Sequence, residues 1–149
     1  MTKRKGFTLL ELTIALAIIA IASGGIFLVF RQSPRRDLEN ASLQLQADIR
    51  YAQRRAIIEG RRIEVRINRY HYVIRYVNPG GVFGEIRTVY FQNGVHIRQT
   101  NTNSIGFLPR GTVGGSGTLS LANARYEQNL TITVSGGRVE IKPITVRNR

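Results

Sequence analysis

The feature that most constrains this chain is the apolar run from Phe7 to Phe30, broken by a carboxylate at Glu11. Besides Glu11, only Thr8, Thr13 and Ser23 in that run carry polar side chains. As a helix it would be roughly 36 Å long, enough to cross a hydrocarbon core of about 30 Å. Lys3, Arg4 and Lys5 precede it and predict a cytoplasmic N-terminus, although Arg31, Arg35 and Arg36 beyond the run weaken that asymmetry. A carboxylate at such depth costs about 2.5–3.5 kcal/mol and normally has a partner. No Lys or Arg lies between Phe7 and Phe30 to serve as one. Cutting after Gly6 would create a partner, because the new α-amino group of Phe7 falls one helical turn from Glu11. In a bundle of identical helices, the amine of one chain can then sit beside the carboxylate of another. Two plainer readings compete. A secretory signal could end at Ala20-Ile21-Ala22, but apolar Ile26 to Phe30 would follow the cut and Glu11 would interrupt the signal core. A simple single-span anchor leaves Glu11 without a purpose.

Beyond the run the periodicity changes. Pro34 sits where a kink or the first turn of a new helix is expected. From Asp37, Leu38, Ala41, Leu45, Ile49, Ala52 and Ala56 form one helical apolar stripe, with Arg36, Arg50, Arg54 and Arg61 on the opposite face. Leu43 and Ile57 lie near that Arg face and are candidates for contact with a neighbouring subunit. Gly60 marks the stop. A helix continuous from Phe7 to Glu59 would be about 80 Å long. From Arg62 the period becomes 2, and strands are expected at Arg62–Ile67, Tyr70–Val77, Glu85–Phe91, Val95–Arg98, Ser104–Leu108, Gly117–Leu121, Leu130–Val134 and Val139–Ile141. Asn78-Pro79-Gly80-Gly81 reads as a turn, Asn93-Gly94 as a hairpin turn, and Gln99 to Asn103 as a loop. The fold class is α+β, with a long N-terminal helix, half membrane segment and half amphipathic, packed on an antiparallel β-sheet or β-sandwich body.

Lys5-Gly6-Phe7-Thr8-Leu9-Leu10-Glu11-Leu12 resembles the processing motif of type IV prepilins and type II secretion pseudopilins. The resemblance implies cleavage between Gly6 and Phe7 by a prepilin peptidase, N-methylation of Phe7, and a role for Glu11 in adding the subunit to a filament. Phe107-Leu108-Pro109-Arg110-Gly111, Gly117 to Leu121 and Leu130 to Val139 resemble the C-terminal pattern of GspH/FimT-class minor pilins and pseudopilins. Ala52-Gln53-Arg54-Arg55-Ala56, Gly60 and Ile63-Glu64-Val65 are similar to that class as well. The implied domains are a removed leader over 1–6, a transmembrane and filament-core helix over 7–30, an amphipathic helix over 31–60, and a β domain with a basic C-terminal tail over 61–149. The implied location is the cytoplasmic (inner) membrane, crossed once with the N-terminus inside, and then an extracytoplasmic filament. Its implied partners are other pilins or pseudopilins, the peptidase and the membrane. Many members carry a Pro about two-thirds along the apolar segment, whereas the first Pro here is Pro34.

The chain has 149 residues, a net charge of +13 and no Cys. Disulfides, Cys zinc sites and thiol chemistry are therefore excluded. The positive charge favours polyanions, whether nucleic acid, anionic lipid heads or wall polymers. His71 and His96 have no second ligand at metal spacing. Gly111 to Gly117 is Gly-rich but lacks the Gly-Lys-Ser/Thr ending of a phosphate loop, and a strand follows it. No Ser/His/Asp set stands out. The expectation is a non-catalytic protein without cofactor, metal or small-molecule substrate. Arg138, Lys142, Arg147 and Arg149 crowd the C-terminus as a flexible cationic tail suited to phosphate contacts. Some FimT-like minor pilins are DNA receptors in natural transformation, which makes these four the candidate DNA-contacting residues; of them, only Arg138, in Gly137-Arg138, is carried by motif. Tyr70, Tyr72, Tyr76 and Tyr90 are expected to pack the sheet rather than stack bases.

Overall fold

A computed structural model of the chain describes residues 8–29, 33–78, 80–133 and 137–147, with the side chains of the first helix placed as far as Ile21. The chain divides into two compact units, 1–32 and 33–149.

The first unit holds α1 (Leu9–Val29), 21 residues long. Thr8 starts it as an N-cap: its Oγ1 accepts a hydrogen bond from the Glu11 backbone N–H at 3.3 Å. Thr8-Leu9-Leu10-Glu11 thus has the spacing of a capping box. Glu11 lies in the first turn, where the helix dipole favours a negative charge. Leu9, Leu10, Leu12, Ile14, Leu16, Ile18, Ile19 and Ile21 are all exposed, so the helix is apolar around its whole circumference. Among the described residues, no helix is long and apolar enough to cross a membrane. The described side chains, from Leu9 to Ile21, rise only about 20 Å. The expected span from Phe7 to Phe30 therefore lies partly outside the described residues.

The second unit begins with α2 (Pro34–Glu59), 26 residues long. Pro34 occupies the first turn, where its missing N–H costs nothing. Ser33 is extended, with φ −80° and ψ 122°, so α2 starts afresh at the point where Pro34 leads one to expect a kink or a new first turn. Gly60 closes α2 in the left-handed conformation, with φ 63°. Leu38, Leu45, Ile49, Ala52 and Ala56 are buried as the period predicts, and Arg36, Arg50 and Arg54 are exposed. Burying a side chain such as Leu45 or Ile49 contributes about 1.5–3 kcal/mol.

Two antiparallel sheets receive that stripe. The first has the order β3-β2-β1-β5, from β1 (Arg62–Ile67), β2 (His71–Val77), β3 (Phe83–Tyr90) and β5 (Ser104–Phe107). The second runs β4-β6-β7-β8, from β4 (His96–Thr100), β6 (Gly117–Ala122), β7 (Tyr126–Ile132) and β8 (Val139–Ile141), with β9 (Thr145–Val146) also paired to β7. Ile63, Val65, Tyr72, Ile74, Ile105 and Phe107 from one sheet and Leu119, Leu121, Leu130 and Ile132 from the other share a single core with α2.

Two expectations need correction. Asn93-Gly94 does form a tight turn, with φ 55° and 74° and Val95 N–H donating to Gln92 C=O at 3.1 Å. It is not a hairpin turn, because β3 and β4 belong to different sheets and β4 pairs with β6. Gln99 and Thr100, expected in a loop, continue β4 across a bulge that follows Ile97. Of the four tyrosines expected to pack the sheet, Tyr72 is buried and Tyr76 packs against the core, whereas Tyr70 and Tyr90 are 59% and 62% exposed and meet the His96 and His71 rings at the surface.

Candidate assembly site and basic surfaces

Gly6 and Phe7 lie outside the described residues. Glu11 projects from the first turn of α1 and is exposed, and its carboxylate has no ion-pair partner among the described residues. An apolar helix with such a carboxylate has to find its surroundings elsewhere, because among the described residues of the unit neither its oil nor its charge is satisfied. The capping-box spacing was overlooked in the sequence, although Thr8 and Glu11 are the residue types that signal it. It explains how the helix begins; the carboxylate itself still lacks a counter-charge.

Arg138, Lys142 and Arg147, the described members of the C-terminal basic set, are not brought together. Gly137 has φ 65° and is buried, and a β-carbon there would approach Val113 Cγ2 to 2.8 Å and Gln53 Nε2 to 2.9 Å. The Gly-Arg turn is therefore a packing requirement, and it leaves Arg138 exposed beside it. Arg138 C=O accepts from Thr133 N–H at 3.0 Å at one end of β7. Lys142 is exposed, and its N–H donates to Asn129 C=O at 2.9 Å. Arg147 stands at the other end, its N–H on Arg125 C=O at 2.9 Å and its Nη1 donating to Asn123 C=O at 2.8 Å. From Thr133 to Arg125 a strand advances roughly 26 Å. The segment expected to be a flexible tail is strapped to β7 by β8 and β9, and its charges are strung along the edge. Arg149 lies outside the described residues.

The outward face of α2 mixes charge and oil. Leu43, Tyr51, Ile57 and Ile58 are exposed there among Arg50 and Arg54. Among the described residues, no group of three or more His, Cys, Asp or Glu side chains could hold a metal ion.

Comparison with known families resolves the identity. A model described as the prokaryotic N-terminal methylation motif matches residues 1–27. That of the type II transport protein GspH matches residues 41–137, from α2 to the final Gly-Arg turn. The chain belongs to the GspH family. Solved structures agree on the fold. The type IV minor pilin FimU of Pseudomonas aeruginosa PAO1 is 19% identical and aligns over 73% of this chain and 90% of its own, with a TM-score of 0.61. The minor pseudopilin EpsH from the Vibrio cholerae type 2 secretion system is 12% identical, with coverage of 71% and 96% and a TM-score of 0.60. No curated protein matches the sequence. As a GspH-family chain, this protein is a structural subunit of the pilin and pseudopilin superfamily and not an enzyme.

Proposed function

We propose that this GspH-family chain is a minor pilin or pseudopilin that a prepilin peptidase cuts between Gly6 and Phe7, with methylation of the new Phe7 amine, before assembly into a type IV pilus or type II secretion-like filament. The observation that carries the reading is the union of the methylation motif over residues 1–27 with an α1 that is apolar on all sides and holds one unpaired carboxylate. Before assembly, residues 7–30 span the cytoplasmic membrane with the N-terminus inside and the β body outside, after loss of the 1–6 leader. In the filament, Glu11 accepts the Phe7 amine of a neighbouring subunit. Sealed from water, the two charges attract more strongly than on a surface, and removing either one leaves the other buried and unpaired. The exposed Leu43 and Ile57 on α2 extend the contact with neighbours.

Replacing Glu11 by Ala tests this directly. Membrane insertion should persist, since a charge has been removed from an apolar helix. Recovery of the variant in sheared or detergent-extracted filaments should fall by an order of magnitude or more. Incorporation at the native level would remove the basis for the pairing.

The FimT-like alternative, a filament-borne DNA receptor for competence, rests on Arg138 and Lys142, which are exposed and have no acidic partner among the described residues. Arg147 contributes less to it, because its guanidinium is engaged with the Asn123 carbonyl. Structural assembly is the reading with more support.

A further inference from the structure

Within the second unit, the two sheets leave a polar cleft of about 470 Å³. Arg66, at the end of β1, and Arg69, in the turn to β2, line one wall, and Arg98 and Gln99 of β4 line the other. Arg98 is bonded to Glu127, which also accepts from Ser120. Arg66 and Arg69 are exposed and have no acidic partner among the described residues. The Arg69 guanidinium lies over the Tyr70 ring, 5.4 Å from its centroid. Two unpaired guanidinium groups bordering one cleft repel each other, and an anion between them relieves that repulsion.

The cleft does not end there. Gln99 also lines a second hollow of about 320 Å³, with Asn101, Thr118, Ser120 and Asn129. Asn101 and Thr118 carry it on to a third beside Thr131 and Thr133. The result is a shallow groove over the outer face of the second sheet, lined beyond the arginines by amides and hydroxyls. Asn101 and Thr118 are held in register, since Asn101 Oδ1 accepts from Thr118 N–H at 2.7 Å.

We propose that this groove binds an acidic polysaccharide, with a carboxylate of the glycan between Arg66 and Arg69 and its hydroxyl-bearing chain along Gln99, Asn101, Ser120 and Asn129. Guanidinium groups match carboxylates by paired, charge-assisted hydrogen bonds. Single-stranded nucleic acid fits the groove less well on two counts. It needs cations along the whole track, whereas among the described residues the lining has them at one end and, farther along, only the charge of Glu127. It also needs aromatic platforms for its bases, and among the described residues no aromatic side chain lines any of the three hollows. A glycan with sparse charge and dense hydroxyls matches both features.

The test uses the full chain in detergent micelles, titrated calorimetrically with hexagalacturonate, a neutral galactose hexamer and an oligothymidylate. Hexagalacturonate should bind, and the neutral hexamer should bind at least about tenfold more weakly. The double variant Arg66→Gln/Arg69→Gln should lose at least about tenfold in hexagalacturonate affinity and flatten its salt dependence. Asn129→Ala should weaken binding with the salt dependence kept. Both arginines are exposed, so the double variant should melt like the native chain; if it does not, Arg69→Gln alone, in a turn, carries the comparison. The proposal is overturned if the folded native chain does not bind hexagalacturonate, if the arginine variant binds it equally well, or if oligothymidylate binds more tightly through the same arginines. None of these outcomes bears on cleavage or filament assembly, which rest on α1 and the outward face of α2 and use no residue of the groove.

Discussion

A carboxylate on the buried stripe of α2 is costly unless its oxygens are occupied, and those of Asp48 are. Tyr72 Oη donates to Asp48 Oδ2 at 2.5 Å, Arg87 Nη2 donates at 2.7 and 2.5 Å, and Gln44 Nε2 at 3.0 Å. Burial, followed by the bond to Asp48, pushes the Tyr72 hydroxyl above its ordinary pKa and keeps it a neutral donor. Asp48 thereby ties α2 to β2 and β3. Asp48→Ala should lower unfolding stability by about 2–3 kcal/mol, toward the lower end for a buried charge pair because Arg87 remains half in water; urea unfolding of the detergent-solubilised chain measures it. Asp48 falls on the α2 period among apolar residues, and the sequence offered no local sign that Tyr72 and Arg87 would meet it. Glu127 is held below the usual carboxylate range, first by the Ser120 hydroxyl and then by Arg98 and Arg147. A carboxylate depressed in the folded state stabilises it above the unfolded pKa, about 4.3 for Glu, and the gain fades as pH falls from there toward the folded value. The urea midpoint should therefore be level from pH 7 to about 5 and fall below that, and Glu127→Gln should make the fall shallower.

At the scale of elements, regular periodicity was readable and pairing was not. The α2 stripe, the strand at Arg62–Ile67 and the Gly60 stop all follow from patterns of 3.6 and 2. β7 was expected only from Leu130, yet it begins at Tyr126, because Glu127 to Asn129 pair with β6 and Tyr126 and Glu127 also with β9, a strand of 2 residues too short to read from sequence. The Asn93-Gly94 turn was legible as a turn, but the sheet receiving the next strand depends on contacts far along the chain. β3 supplies an element-scale prediction. Tyr76 and Gly84 are cross-strand partners, and a β-carbon on Gly84 would fall 1.9 Å from Tyr76 Cζ. The ring covers the glycine and in turn carries the Arg61 guanidinium 4.2 Å from its centroid. Gly84→Ala should displace Tyr76 and cost about 1–3 kcal/mol as an overpacking change, read as a lower melting temperature. Gly84→Ala in a Tyr76→Ala background should cost far less, because the clash is gone.

At the scale of the whole molecule, two units meet two different demands. The β body and α2 close a core of their own, whereas α1 leaves its apolar surface and one carboxylate unmet. The family was legible because the motif around Gly6 and Phe7 and the turn glycines are local in sequence. The polar groove was not legible, because Arg66, Gln99, Thr118 and Asn129 come from four strands that only the folded sheets bring together. The filament account rests on a new amino terminus at Phe7 that meets Glu11 of a neighbouring subunit. The intact mass of the mature chain, purified from membranes of cells that express a prepilin peptidase, tests it most directly. The account predicts a polypeptide that begins at Phe7 and carries one added methyl group; a chain that still begins at Met1, or one cut after Ala22, would contradict it.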